Sequence, residues 1–154
     1  RVGGGLLGAD YTIDKNRYRI KKIYGGLNYT PNLRSPLTEP GVDVKEGDYI
    51  LAVNGQNVTS ADDIYRFFEN TAGKIVELTV GPNADLNGSR VIKVVPVASE
   101  SGLRNRDWVE GNLKKVTEAT NGQVAYVYVP NTTNLGHEYF KRYFFRFFIC
   151  CDDR

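Results

Sequence analysis

The chain has 154 residues, enough to bury a core in one domain or in one domain plus part of another. Apolar residues make up 41% and charged residues 25%, the ordinary balance of a globular chain. Lys and Arg number 20 against 18 Asp and Glu, so the net charge of +2 removes nucleic acid as a default partner, and the lack of a spanning-length apolar run removes membrane insertion.

Gly3-Gly4-Gly5-Leu6-Leu7-Gly8 reads as a loop that feeds a strand at Ala9-Asp10-Tyr11-Thr12-Ile13. Asp14-Lys15-Asn16 turns the chain, and residues 18–23 alternate apolar with basic side chains as a half-buried strand does. A polar Gly- and Pro-containing loop covers residues 24–33. Residues 35–58 are the most informative stretch: a short helical piece closed by Gly41, a Gly47-Asp48 turn, an apolar strand over 49–53, and Asn54-Gly55. Asn-Gly tolerates the positive φ angles of a type I′ hairpin, so the turn chemistry and the strand pattern agree.

A second helix is predicted over residues 60–72, with Ser60 as its cap, Asp63 in the capping-box position and Gly73 as terminator. Ile64, Phe67 and Phe68 fall on one face of it. Two β-branched strands, 75–80 and 91–97, flank a turn-rich loop at 83–88. Together these elements make an α+β domain of five strands and two helices. Residues 98–106 read as a polar bridge, 107–119 as a helix burying Trp108, Leu113 and Val116, 124–129 as a strand, and 135–148 as an aromatic-dense helix. The second block has too few elements to close a core alone.

The order small-residue helix, glycine, Gly47-Asp48-Tyr49-Ile50-Leu51-Ala52-Val53-Asn54-Gly55, second helix resembles a PDZ domain of the permuted, protease type. That resemblance implies a partly open, five-stranded β-barrel or sandwich over residues 1–99. The second block resembles the start of the catalytic domain of tricorn proteases, and more distantly that of carboxy-terminal processing peptidases. It does so through Trp108-Val109-Glu110-x-Asn112, Gly122-x-Val124-Ala125-Tyr126-Val127-Tyr128-Val129-Pro130 and Gly136-x-Glu138-x-Phe140. The resemblance therefore implies a PDZ domain at 1–99 and an incomplete catalytic segment at 100–154. The chain starts without methionine and contains none, which predicts a piece of a longer protein. The resemblance implies a prokaryotic-type protein, leaning to the cytoplasm over the periplasm.

The implied function is recognition of peptide or protein C-termini by strand addition to a sheet edge. Gly5, Leu6, Leu7 and Gly8 resemble the loop whose N–H groups receive the terminal carboxylate, Ala9, Asp10 and Tyr11 would pair with the peptide, and Ile64 and Phe68 would line the opposite wall. The bland alternative makes Ile64, Phe67 and Phe68 plain core and the glycines a hinge. A purely architectural spacer is the competing function.

The resemblance to tricorn proteases implies that the residues for serine-protease chemistry lie before and after this sequence, so no catalytic residue is assigned and the chain alone should be inactive. His137 lies in the aromatic helix without a matching motif, and no serine sits in a G-x-S-x-G elbow. Asp62 and Asp63 explain themselves as charges at a helix start. The triple glycine lacks the preceding strand of a phosphate-binding loop. Cys150 and Cys151 are adjacent, a spacing that suits neither a mutual disulfide nor a metal, so no metal or cofactor is expected. N-x-S/T sequons at Asn28, Asn57, Asn87 and Asn131 read as chance matches in a loop-rich chain. The aromatics Tyr139, Phe140, Tyr143, Phe144, Phe145, Phe147 and Phe148 predict a helix that packs against the remaining segments of a parent protease and self-associates without them. The alternative, a membrane-surface helix, is opposed by Lys141, Arg142 and Arg146 within it.

Overall fold

The computed structural model describes residues 3–151, with side chains described as far as Phe145. The chain divides between Arg104 and Asn105 into two compact units.

The first unit is built on one antiparallel sheet. Its strands are β1 (Ala9–Asp14), β2 (Arg17–Ile23), β3 (Tyr49–Val53), β4 (Gln56–Asn57), β5 (Val76–Gly81) and β6 (Arg90–Val94). The order is β1-β2-β3-β5-β6, with the two-residue β4 pairing β3. Lys15 and Asn16, at φ 49° and 61°, form the two-residue turn between β1 and β2. The Asn54-Gly55 turn has φ 49° and 76° and sets Val53 opposite Gln56. Ile50, Leu51 and Val53 are buried, as the unbroken apolar run of a central strand requires. β5 and β6 instead alternate: Val76, Leu78, Val80, Ile92 and Val94 point into the core, while Glu77 and Lys93 face each other outside at 3.6 Å. Leu7, Leu37, Ile64 and Phe68 complete the core. Arg90 and the buried Asp48 pair at 2.6 Å, and Asp48 also accepts from the Lys45 N–H at 3.1 Å, which ties the turn before β3 to β6.

The fold is α+β, with six strands because β4 adds a short one. The helix predicted over residues 60–72 is instead a 3-10 turn at Ile64–Phe68. Asp63 caps it by accepting from the Tyr65 N–H at 3.0 Å, while the Ser60 hydroxyl bonds to Asn16. The earlier helical piece is likewise a 3-10 turn, Pro36–Thr38, and another occupies Pro31–Leu33.

The polar bridge predicted at 98–106 is shorter than expected, because helix α1 (Ser101–Ala119) begins inside it and buries Leu103. In the second unit, α1 buries Val109. Trp108 is exposed and Leu113 and Val116 are half-buried, so the predicted buried face is displaced. Residues 124–129 form no strand among the described residues: Val124 lies in a bend and the residues after it take no regular structure, so the predicted strand is absent there. That segment is held instead by rings: Trp108 meets Tyr128 edge-on at 6.1 Å and Tyr128 meets Tyr139 at 5.9 Å. Helix α2 (Asn134–Cys151) carries the predicted aromatic run, and Tyr143 is buried with its hydroxyl 3.3 Å from Glu110. The side chains of Phe147 and Phe148 lie outside the described residues.

Candidate functional site

β1 ends the strand order, so among the described residues no strand pairs with its outer edge. An edge of this kind offers a row of N–H and C=O groups that water or another chain must satisfy. A pocket of about 330 Å³ lies against β1, lined by Asp10, Tyr11, Tyr18, Lys21, Ile64 and Tyr65. Its walls follow from the local fold. The pairing of Ile13 with Tyr18 brings β2 alongside β1, and Tyr11 and Tyr18 meet edge-on at 6.4 Å. The Tyr18 hydroxyl donates to the Asp62 carbonyl at 2.7 Å and draws the 3-10 turn against the sheet. Burial raises the Tyr11 phenol far above its ordinary pKa, and Tyr65 is raised for the same reason with a further push from the Glu100 charge. Both hydroxyls therefore stay protonated and can only share hydrogen bonds.

The glycine loop enters the strand from one end. Gly5 is packed where a Cβ would run into the Thr71 hydroxyl and lie 2.7 Å from Pro96. Its N–H donates to the Phe68 carbonyl at 2.7 Å, and Leu6 exchanges both backbone hydrogen bonds with Val97 at 2.8 and 2.9 Å. These two N–H groups anchor the loop. Gly8 has φ +71°, a left-handed conformation that L side chains resist, and a Cβ there would lie 2.9 Å from Leu103. Its carbonyl accepts from the Tyr24 N–H at 2.8 Å, and its N–H donates to Glu100 Oε2 at 3.0 Å.

A polar cluster surrounds that contact. Arg104 donates through Nε to Glu100 Oε1 at 2.7 Å, through Nη1 to the Tyr24 hydroxyl at 2.8 Å and through Nη2 to Asp10 Oδ1 at 2.8 Å. The Tyr24 hydroxyl in turn donates to Asp10 Oδ2 at 2.7 Å, while the guanidinium sits 4.5 Å from the Tyr24 ring centre. Burial works to raise the Asp10 pKa, but the hydrogen bonds from Tyr24 and Arg104 outweigh it and hold the carboxyl below its ordinary value. Arg104 is driven upward: burial opposes its charge, and its two carboxylate partners more than offset this.

The predicted site residues thus separate. Gly8, Ala9, Asp10 and Tyr11 follow one another along the loop end and edge strand, and Asp10 and Tyr11 line the pocket. Leu7 and Ala9 are buried side chains, leaving only their backbone to offer. Ile64 borders the pocket from within the core, and Phe68 lies wholly in the core. Sequence reasoning missed Tyr24, Glu100 and Arg104. The i,i+4 spacing of Glu100 and Arg104 was the available signal. Elsewhere, His137 is exposed on α2, and no group of three or more His, Cys, Asp or Glu among the described residues could hold a metal.

The family model described as the tricorn protease PDZ domain matches residues 5–99. A tricorn protease homolog from Streptomyces coelicolor is 39% identical over 128 residues, covering 82% of this chain and 12% of that protein. A putative tricorn-like protease C-terminal subunit from Sulfurisphaera tokodaii is 35% identical over 146 residues, covering 93% of this chain and 16% of that protein. The crystal structure of the tricorn protease superposes with a TM-score of 0.77 at 27% identity, over 92% of this chain and 14% of that one. This chain therefore spans under a fifth of the length of these relatives.

Proposed function

This chain belongs to the tricorn protease PDZ domain family, and on that premise we propose that its β1 edge binds the C-terminal segment of a peptide or protein by strand addition. The observation that carries the reading is the position of β1 at the end of the sheet order, with Gly8 at its entry and a pocket beside it. Backbone pairing along β1 supplies sequence-independent affinity, the pocket accepts a side chain, and the Gly8 N–H receives the carboxylate. The second unit is read as the opening of a catalytic domain whose nucleophile lies in other segments of the parent protease. In that setting the PDZ unit positions substrate for acyl-transfer proteolysis.

Titration with a library of C-terminal peptides tests the recognition role. Saturable binding that disappears when the peptide terminus is amidated is expected, and uniformly flat titrations would sink it. Incubation with labelled peptides should give no hydrolysis; turnover that a serine-directed inhibitor abolishes contradicts the assignment of the chemistry to other segments.

An architectural spacer is the second reading. It is favoured by one observation: the Gly5 and Leu6 N–H groups are spent on protein carbonyls. Flat titrations are the result it expects.

A further inference from the structure

The Gly8 N–H, the donor to which the proposed function assigns a peptide carboxylate, already holds a carboxylate from its own chain. Glu100 lies 92 residues away in sequence and its side chain is only 13% exposed. It reaches Gly8 because α1 starts one residue later and Leu103 packs over the same glycine. The seat is built around this group. Arg104 holds the second carboxylate oxygen of Glu100 and is itself fixed by Asp10 and Tyr24. A charged acceptor on a backbone N–H, with a guanidinium on its other oxygen, is the arrangement that would bind a peptide's terminal carboxylate.

We propose that Glu100 is an intramolecular stand-in for the ligand carboxylate: it occupies the Gly8 seat and must swing out before a peptide C-terminus can enter. The inference rests on the peptide-binding reading above. A tethered group competes at high effective concentration, so the resting protein is mostly self-occupied and its apparent peptide affinity falls by the fraction of open seats. When Glu100 leaves, Arg104 remains against Asp10 and Tyr24, and the guanidinium face that Glu100 vacates can pair with the incoming carboxylate. The switch thus converts an intramolecular ion pair into an intermolecular one, with no net loss of charge pairing. It would also couple occupancy of the groove to the first turn of α1, because Glu100 directly precedes that helix.

The experiment follows the Gly8 amide by ¹H–¹⁵N correlation spectra of the full chain, as wild type, Glu100→Ala and Glu100→Gln. Each protein is titrated with a C-terminal peptide, with its amidated form and with acetate. The expected result is peptide binding about tenfold tighter to Glu100→Ala than to wild type, with the Gly8 amide shifting and no gain for the amidated peptide. Glu100→Gln keeps the shape and an acceptor oxygen while removing the charge. It should give a smaller gain, and it serves if the alanine variant does not fold. Equal peptide affinity for wild type and both variants overturns the self-occupied seat while leaving the groove reading intact. If no protein binds peptide, yet acetate moves the Gly8 amide saturably only in the variants, the seat stands and the groove reading falls. A Gly8 amide that responds to neither peptide nor acetate in any protein overturns both.

Discussion

At the scale of single residues, two ionic contacts carry different weight. Asp48 is 1% exposed and receives Arg90 at 2.6 Å and one backbone N–H. Arg90→Ala would strand that carboxylate with a single donor, so destabilisation of about 2 kcal/mol is expected. This lies below the range for fully buried pairs because Arg90 itself is partly exposed. A lowered midpoint in urea at unchanged slope checks it. The Asp10 contact is more exposed and shows itself through pH. Its folded pKa lies below the ordinary 3.8, so the stability it confers is present above that value and lost as pH falls through the folded pKa. Thermal melts below about pH 4 should therefore show a steeper decline for wild type than for Asp10→Asn. Equal slopes for the two proteins would remove Asp10 as a contributor. None of these partners was legible as a pair, because Asp48–Arg90 and Asp10–Arg104 join positions far apart in sequence.

At the scale of elements, the tight turns were legible because their hydrogen bonds close within a few residues. The Asn54-Gly55 hairpin and the Lys15-Asn16 turn depend on their own backbone angles, and both formed as their residues imply. The segment 60–72 did not become the predicted helix, because contacts both local and distant in sequence compete with it. The Ser60 hydroxyl is drawn to Asn16, and Asp62 accepts from the Thr59 N–H and hydroxyl at 2.9 and 2.8 Å. Asn70 and Gly73 then take left-handed φ of 57° and 76°, which no α-helix accommodates. What remains is a turn whose apolar side chains still reach the core. Asp63→Ala removes its cap and should cost about 1 kcal/mol, with hydrogen exchange accelerating at the Tyr65 amide. An unchanged Tyr65 exchange rate would show that packing of Ile64 and Phe68 alone holds the turn. The run at 124–129 has strand composition, yet composition supplies no ladder partner, and without one the segment forms no strand among the described residues.

At the scale of the whole molecule, each unit has its own balance. The first closes a core of strands and turns. The second buries Val109 and Tyr143 but leaves Trp108, Phe140 and Phe145 between 39% and 57% exposed. Sedimentation of the chain should therefore show concentration-dependent self-association, and a Phe140→Glu, Phe145→Glu double variant should shift it toward monomer. An unaltered distribution would place the association elsewhere. The sequence by itself determined the five main strands of the first unit, its tight turns, the PDZ-like α+β class and family membership, because each rests on local periodicity or on motifs read along the chain. Only the tertiary structure decided that β1 ends the strand order among the described residues, that Ile64 and Phe68 turn inward, and that Glu100 sits on Gly8. Those outcomes depend on which distant segments fold into contact, and no spacing along the chain encodes a distance of 3.0 Å between residues 92 positions apart.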